Sequence, residues 1–270
     1  MARANIGSRR SCETIISEGR VTVDGRVAKL GDKSDPAVNR IEVDGRPLFV
    51  VDSPGEAGAG HIYIALNKPR GVISSLEDEM EAGRITVRDL IKIEGSHHIY
   101  PVGRLDKPSE GLVLMTNDGA LAHRLTHPRY GHEKVYDVTV EGNISERSLD
   151  QWRRGVILDG RITAPAPIEV IERTPDSTRL RIILREGRKR QIRRIAAALG
   201  HPVRRLIRER IGPLALGDLS AGQWRYLTER EVLELKQSAF KASIPTGQTA
   251  RGKSPGQPKP TNSKKETRAA

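Results

Sequence analysis

One run, Leu112-Val113-Leu114-Met115, is apolar at every position, between Glu110-Gly111 and Thr116-Asn117. An unbroken run of this kind reads as a strand buried on both faces, so the sheet that holds it needs cover on two sides. Just ahead of it, in PVGRLDKPSEGL (101–112), one carboxylate, Asp106, stands between two cations, Arg104 and Lys107. A surface turn closed by an ion pair explains that arrangement. So does an acid held at the mouth of a buried strand to do chemistry, and on these residues alone the turn is the simpler reading.

The other segments supply the layers. IYIALNKPRG (62–71) reads as a strand ending in a Lys-Pro turn, and 111–116, 134–141 and 179–185 read as further strands. Helix spacing marks 85–92, 117–126, 145–154 and 188–199. In the last of these Ile192, Ile195, Ala196 and Leu199 fall on one face, and Gly200 is placed to end the helix. Strands and helices do not alternate at a regular spacing, and there is no glycine-rich phosphate loop. The pattern therefore predicts an α+β fold, with a mixed, mostly antiparallel central sheet flanked by helices, and not a doubly wound one.

Residues 1–58 read as a separate small unit. A helix in SRRSCETIISEGR (8–20) is stopped by Gly19, and two alternating runs follow, with Asp24-Gly25 and Asp44-Gly45 favouring tight hairpin turns. DSPGEAGAGH (52–61) is a linker by composition. The main domain is expected over 59–237, and the Pro/Gly/Ser/Lys-rich end, 238–270, as a disordered basic tail.

The chain carries a net charge of +12, and the excess is local. Residues 183–210 hold ten arginines and lysines against Glu186 and Glu209, and residues 241–270 hold seven against Glu266, which leaves the remainder at −2. Concentration of this kind is the footprint of a polyanion site. No amphipathic helix pairs a basic face with bulky aromatics, so nucleic acid is expected rather than a membrane surface. With two Trp, five Tyr and two Phe, a platform stacking several bases is not expected; phosphates and shape should carry the binding. No apolar run reaches the roughly 18 residues of a membrane helix, and no signal peptide is evident. The single Cys12 rules out an internal disulfide framework, and a cytoplasmic protein, monomeric by default, is expected.

Two further groupings bear on chemistry. Arg188, Lys189 and Arg190 open the 188–199 helix against its dipole, a cost of a few tenths of a kcal/mol per charge that a bound polyanion would offset. His123 and His127 lie four apart with His132 following, yet no cysteine is near, and Arg124 stands where a zincin carries its glutamate. No metal is expected. No Ser-His-Asp or Cys-His grouping stands out.

Taken together, LNKPRGVISS (66–75), YPVGRLDKPSEGLVLMTNDGALAHRLTHPRY (100–130), KVYDVTVEG (134–142), REGRKRQIRRIAAALGHPV (185–203) and RLIRERIGPLALGDLSAGQWRYLT (205–228) resemble, in order and spacing, the RsuA-type family of pseudouridine synthases, in the branch that modifies ribosomal RNA. The likeness spans roughly residues 60–235, and the long GRLD block is its most specific part. Residues 1–50 resemble the small α-L RNA-binding domain that precedes the catalytic domain in that family. The family's version opens with more helix than this chain has before Ala4, so either the start is misassigned or the first helix is shortened.

The resemblance implies Asp106 as the catalytic aspartate. It implies Tyr136 as the tyrosine that packs on the target base and is the candidate to remove its ring proton, and Arg193 as the cation paired with the aspartate. Leu206 would lie beneath the pocket, and Arg104 would fill the gap left by the extruded nucleotide. Further RNA contacts are expected at Arg9, Arg10, Arg20, Lys68, Arg188, Lys189, Arg190, Arg194 and Arg208. The stretch 205–219 resembles the large-subunit members more closely, which favours 23S ribosomal RNA over 16S. Conversion of uridine to pseudouridine moves the sugar from a ring nitrogen to a ring carbon of the same base, so no cofactor is expected. A glycosidase-type hydrolysis would want a second carboxylate to activate water, and none accompanies Asp106 in the motif.

Overall fold

The computed structural model describes residues 1, 6, 9–48, 61–75, 83–93 and 99–241. The side chains of residues 9–11, most of the expected linker, and the expected tail from 242 onward lie outside the described residues.

The N-terminal unit is one helix and a small sheet. Helix α1 (Arg9–Ser17) ends at Gly19 (φ 73), whose N–H reaches the Ile16 carbonyl while Arg20 N–H reaches Ile15, a glycine-terminated helix end as the sequence predicts. Strands β1 (Val21–Val23), β2 (Arg26–Val27), β3 (Ile41–Val43) and β4 (Arg46–Pro47) form an antiparallel sheet in the order β2-β1-β3-β4. Both Asp-Gly pairs have positive φ at both residues, 50 and 80 at Asp24-Gly25, 51 and 72 at Asp44-Gly45, the requirement of a type I′ hairpin. Val21, Ala28 and Ile41 make its core, packed against Ile15 and Ile16 of the helix.

The second unit is built on a nine-stranded sheet. Its strands are β5 (Tyr63–Lys68), β6 (Tyr100–Pro101), β7 (Glu110–Thr116), β8 (Lys134–Glu141), β11 (Ile168–Arg173), β12 (Ser177–Leu184), β13 (Val203–Ile211), β14 (Leu214–Ala215) and β15 (Trp224–Tyr226). The main order is β11-β12-β8-β13-β7-β5-β15, with β6 on β7 and β14 on β13; β7 and β13 run parallel and the other pairs antiparallel. A small hairpin, β9 (Ile157–Leu158) with β10 (Arg161–Ile162), stands beside it. The mixed, mostly antiparallel sheet is the one the sequence pattern predicts.

Alternation sorts the strands' side chains onto two faces. Ile64 and Leu66 of β5, with Val113 and Met115 of β7, join one core beneath α3 (Glu146–Arg154) and α4 (Gln191–Ala198). Tyr63 and Ala65, with Leu112 and Leu114, join a second core beneath α2 (Gly119–Thr126) and α5 (Glu229–Phe240). The all-apolar run at 112–115 is thus covered on both sides. Asp118, Ser145 and Thr228 cap α2, α3 and α5, each accepting from the backbone N–H three residues on.

The close parallel crossing of β7 and β13 depends on Gly111, which has φ 102. A Cβ there would meet the Arg208 carbonyl oxygen at 2.4 Å and its nitrogen at 2.6 Å.

Three expectations need correction. Residues 85–92 are not helical: Thr86 bridges Ile73 in parallel, and its N–H and hydroxyl both donate to Asp89 (2.7 and 2.9 Å), closing a turn. The 188–199 helix starts later, at Gln191, because Arg190 adopts left-handed φ 52 and ψ 33; its buried face is Ile192, Ile195 and Ala196, as the spacing predicts. Helix α5 carries ordered chain to Phe240, past the expected boundary at 237.

Candidate active site

Asp106 lies in the turn between β6 and β7, which opens at Gly103 (φ 73). The residues around it are clamped from three directions. Ser74 Oγ donates to the Leu105 carbonyl (2.9 Å) and accepts from the Leu105 N–H (3.1 Å). The Lys107 carbonyl accepts from the Gly71 N–H (2.8 Å) and from Lys68 Nζ (3.4 Å). Arg193 Nη2 donates to the Pro108 carbonyl (2.9 Å) and to Ser109 Oγ (3.2 Å). The Asp106 carboxylate itself is half-buried and takes no hydrogen bond or ion pair among the described residues.

That carboxylate faces a cavity of about 500 Å3. Tyr136 of β8, Leu206 of β13, Leu184 of β12 and Ile192 of α4 supply its apolar wall; Tyr136 is 9% exposed and is paired across the sheet with Ile182 and Arg208. Among the described residues Asp106 is the one acid in the lining, against five cations, Arg104, Arg188, Lys189, Arg190 and Arg193. Burial holds the Arg193 pKa below its ordinary value and the charge of Arg190 adds to that, while Asp106 opposes both.

The structure thus gathers Asp106, Tyr136, Arg193, Leu206 and Arg104 about one cavity, and it corrects several expected contacts. Arg193 and Asp106 make no ion pair within 4 Å: the guanidinium is occupied by Pro108, Ser109 and, at 3.3 Å, the Val203 carbonyl. Lys68, expected on RNA, is 0% exposed, its Nζ donating to the Pro69, Val72 and Lys107 carbonyls. Burial pushes its pKa down to about 8, against the opposing pull of Glu110 and Asp106. Arg208, 2% exposed, donates to the Leu112 carbonyl (2.8 Å) and ties β13 to β7.

Other expected contacts are partly or wholly engaged. Arg188 reaches three carbonyls of the β9–β10 hairpin, at Leu158, Arg161 and Ile162. Arg194 pairs with both oxygens of Asp159 (2.9 and 2.6 Å), and Arg20 with both of Asp44 (2.7 Å each). The side chains of Arg9 and Arg10 lie outside the described residues. Arg104, Lys189 and Arg190 are exposed and make no hydrogen bond or ion pair through their side chains among the described residues.

Sequence reading missed Ser74, Gly71 and Ser109. Ser109 stands inside the GRLDKPSEGL block, where the signal was present. Ser74 meets Leu105 from 31 positions away, which no local pattern reveals.

A family of RNA pseudouridylate synthases matches residues 62–198, and the S4 domain family matches residues 1–36. The chain belongs to the RNA pseudouridylate synthase family. Members similar to it include the ribosomal large subunit pseudouridine synthase B of Bacillus subtilis, 38% identical over 88% of this chain and 94% of that protein. The ribosomal small subunit pseudouridine synthase A of Vibrio cholerae is 36% identical over 84% of this chain and 94% of that protein. Among solved structures, a pseudouridylate synthase crystal structure aligns with a TM-score of 0.62 at 28% identity, covering 84% of this chain and 94% of that one. As a pseudouridine synthase the chain is an isomerase, carrying an S4 domain ahead of the synthase domain.

Proposed function

We propose that this synthase isomerises a specific uridine of ribosomal RNA, with Asp106 acting on the sugar of a nucleotide flipped into the cavity. The observation that carries the reading is the composition of that cavity among the described residues: one carboxylate without an ion pair, a buried tyrosine ring and five cations. A base stacked in a helix cannot reach such a recess, so the nucleotide must be extruded, at a cost of a few kcal/mol. Arg104, Lys189 and Arg190, with free donors at the rim, offset that cost through phosphate contacts, and Arg104 takes the space the base leaves.

In the reaction the bond from the anomeric carbon to the ring nitrogen breaks and a bond to ring carbon five forms. The proton on that carbon leaves and the freed ring nitrogen gains one, so the product is an isomer and neither electrons nor groups are exchanged. Asp106 engages the sugar while the base turns against the Tyr136 ring, and Tyr136 takes the ring proton late in the sequence. Among the described residues no second acid lines the cavity, which suits a site that must not activate water. The clamps on Leu105, Lys107, Pro108 and Ser109 fix the carboxylate's position without consuming its oxygens.

The preferred substrate is 23S ribosomal RNA, on the likeness of residues 205–219 to large-subunit enzymes; identity over the aligned 88% and 84% of the chain, 38% against 36%, weighs both subunits almost equally. Mapping pseudouridines in total RNA from cells with and without this gene tests the reading. Loss of a 23S pseudouridine is expected. Loss from 16S would reassign the substrate, and an unchanged map would refute the function. Free uracil with an abasic RNA would mark a glycosylase.

A further inference from the structure

Outside the cavity, residues 119–132 carry Arg124, Arg129, His123, His127 and His132 and no aspartate or glutamate. The rings of His123 and His127, on successive turns at the end of α2, are 5.2 Å apart, and each lies near the Tyr130 ring, at 6.1 and 5.8 Å. The guanidinium carbons of Arg124 and Arg129 are each 4.5 Å from the Tyr130 ring centre, and Arg129 also donates to the Tyr130 hydroxyl. Neither arginine has an acidic partner among the described residues.

Several other surface arginines of this domain are held by acids. Arg179, Arg185, Arg194, Arg204 and Arg205 each take a carboxylate, at Asp137, Glu133, Asp159, Asp176 and Glu110. Around Tyr130 the cations are held in place by a ring instead, which fixes their position while leaving the charge uncompensated. His127 Nδ1 accepts from the Arg129 N–H (3.2 Å), so its Nε2 is the nitrogen left to donate. The cluster also adjoins the catalytic turn: a Cβ on Gly103 would lie 3.7 Å from Thr126 Cγ2, at the last residue of α2.

We propose that His123, Arg124, His127 and Arg129, organised by Tyr130, form a second RNA-contact surface that grips phosphates of the strand next to the flipped nucleotide. The proposal rests on reading the cavity as the site of uridine isomerisation. With guanidinium groups over the Tyr130 ring, the ligand is the sugar–phosphate backbone and not a stacked base. The contact is therefore independent of sequence and sets the direction in which the strand leaves the cavity.

The test uses the full-length protein and in vitro transcripts of 23S and 16S ribosomal RNA, with affinity measured over a salt series. Arg124→Gln/Arg129→Gln should weaken binding about 10-fold or more and lower the slope of log affinity against log salt by about 1.4, two single-strand phosphates' worth. Arg129→Gln alone changes one exposed side chain, so it reports the contact even if the double variant is unstable; its slope should fall by about 0.7. Arg230→Gln, at an exposed arginine paired with Glu234 on α5, should leave the slope unchanged. Wild-type slopes in Arg129→Gln and in a folded double variant, or an equal loss from Arg230→Gln, would overturn the proposal. Failure of the isomerisation reading shows separately, as pseudouridine formation by Asp106→Asn, and leaves these slopes unaffected.

Discussion

Arg193 reaches the Pro108 carbonyl at 2.9 Å, two residues beyond Asp106, and among the described residues the Asp106 carboxylate has no ion pair. The arginine of this site therefore steadies the turn that carries the acid. An ordered turn with an unconsumed carboxylate is what the proposed action of Asp106 on a sugar carbon or its neighbouring proton requires.

Arg193→Lys separates these two roles. Lysine keeps the charge and loses the fork that joins Pro108, Ser109 and Val203. Single-turnover pseudouridine formation should slow by about 10- to 100-fold with little change in RNA affinity. A variant with the wild-type rate would show that charge alone is what the site needs.

Lys68→Met addresses a basic residue buried where RNA cannot touch it. Removing its Nζ leaves the Pro69, Val72 and Lys107 carbonyls without this donor and loosens the turn beside Asp106. Denaturant unfolding should report a loss of about 2–4 kcal/mol, while the salt slope of RNA binding stays at the wild-type value. A reduced slope would return Lys68 to the RNA interface.

Glu231 gives a prediction in pH. Its bidentate pairing with Arg225 (2.8 and 2.7 Å), and its bonds to the Thr228 backbone and side chain, pull its pKa from 4.5 down to about 2. A carboxylate depressed in the folded state stabilises it fully above the unfolded value, near 4.5, and loses that contribution as pH falls toward 2. Both partners are partly exposed, so the contribution is discounted to about 1 kcal/mol. Glu231→Gln should thus be less stable than the wild type by about that amount at pH 6, with the gap narrowing below pH 4.5. A gap independent of pH would assign the effect to packing.

Much of this architecture was legible in the chain because alternation and burial leave local traces. The run 112–115, the Asp-Gly hairpins and the Ile192-Ile195-Ala196 face each follow from spacing over a few residues. Strand β13 was not legible: Arg204, Arg205, Arg208, Glu209 and Arg210 break its apolar pattern, and its central place comes from partners on β7 and β8. Burial of cations also misled the reading of charge. Arg208 and Lys68 were expected on RNA because basic residues normally stay in water, whereas backbone carbonyls hold both inside. Helix α5 had a signal that went unread, since Thr228 and Glu231 form a capping box visible as T-x-x-E. At the site, Asp106 and Tyr136 were named from motif blocks, but the clamps by Ser74 and Arg193 are contacts across the fold that no spacing encodes.

The measurement that bears most directly on the proposed chemistry compares Asp106→Asn with the wild type on the same ribosomal RNA transcript, following both affinity and pseudouridine formed in a single turnover. The asparagine keeps the side chain's size and the clamped turn, and removes only the charge and the reactive oxygen pair. Unchanged affinity with no detectable pseudouridine is the expected result; product at the wild-type rate would contradict it.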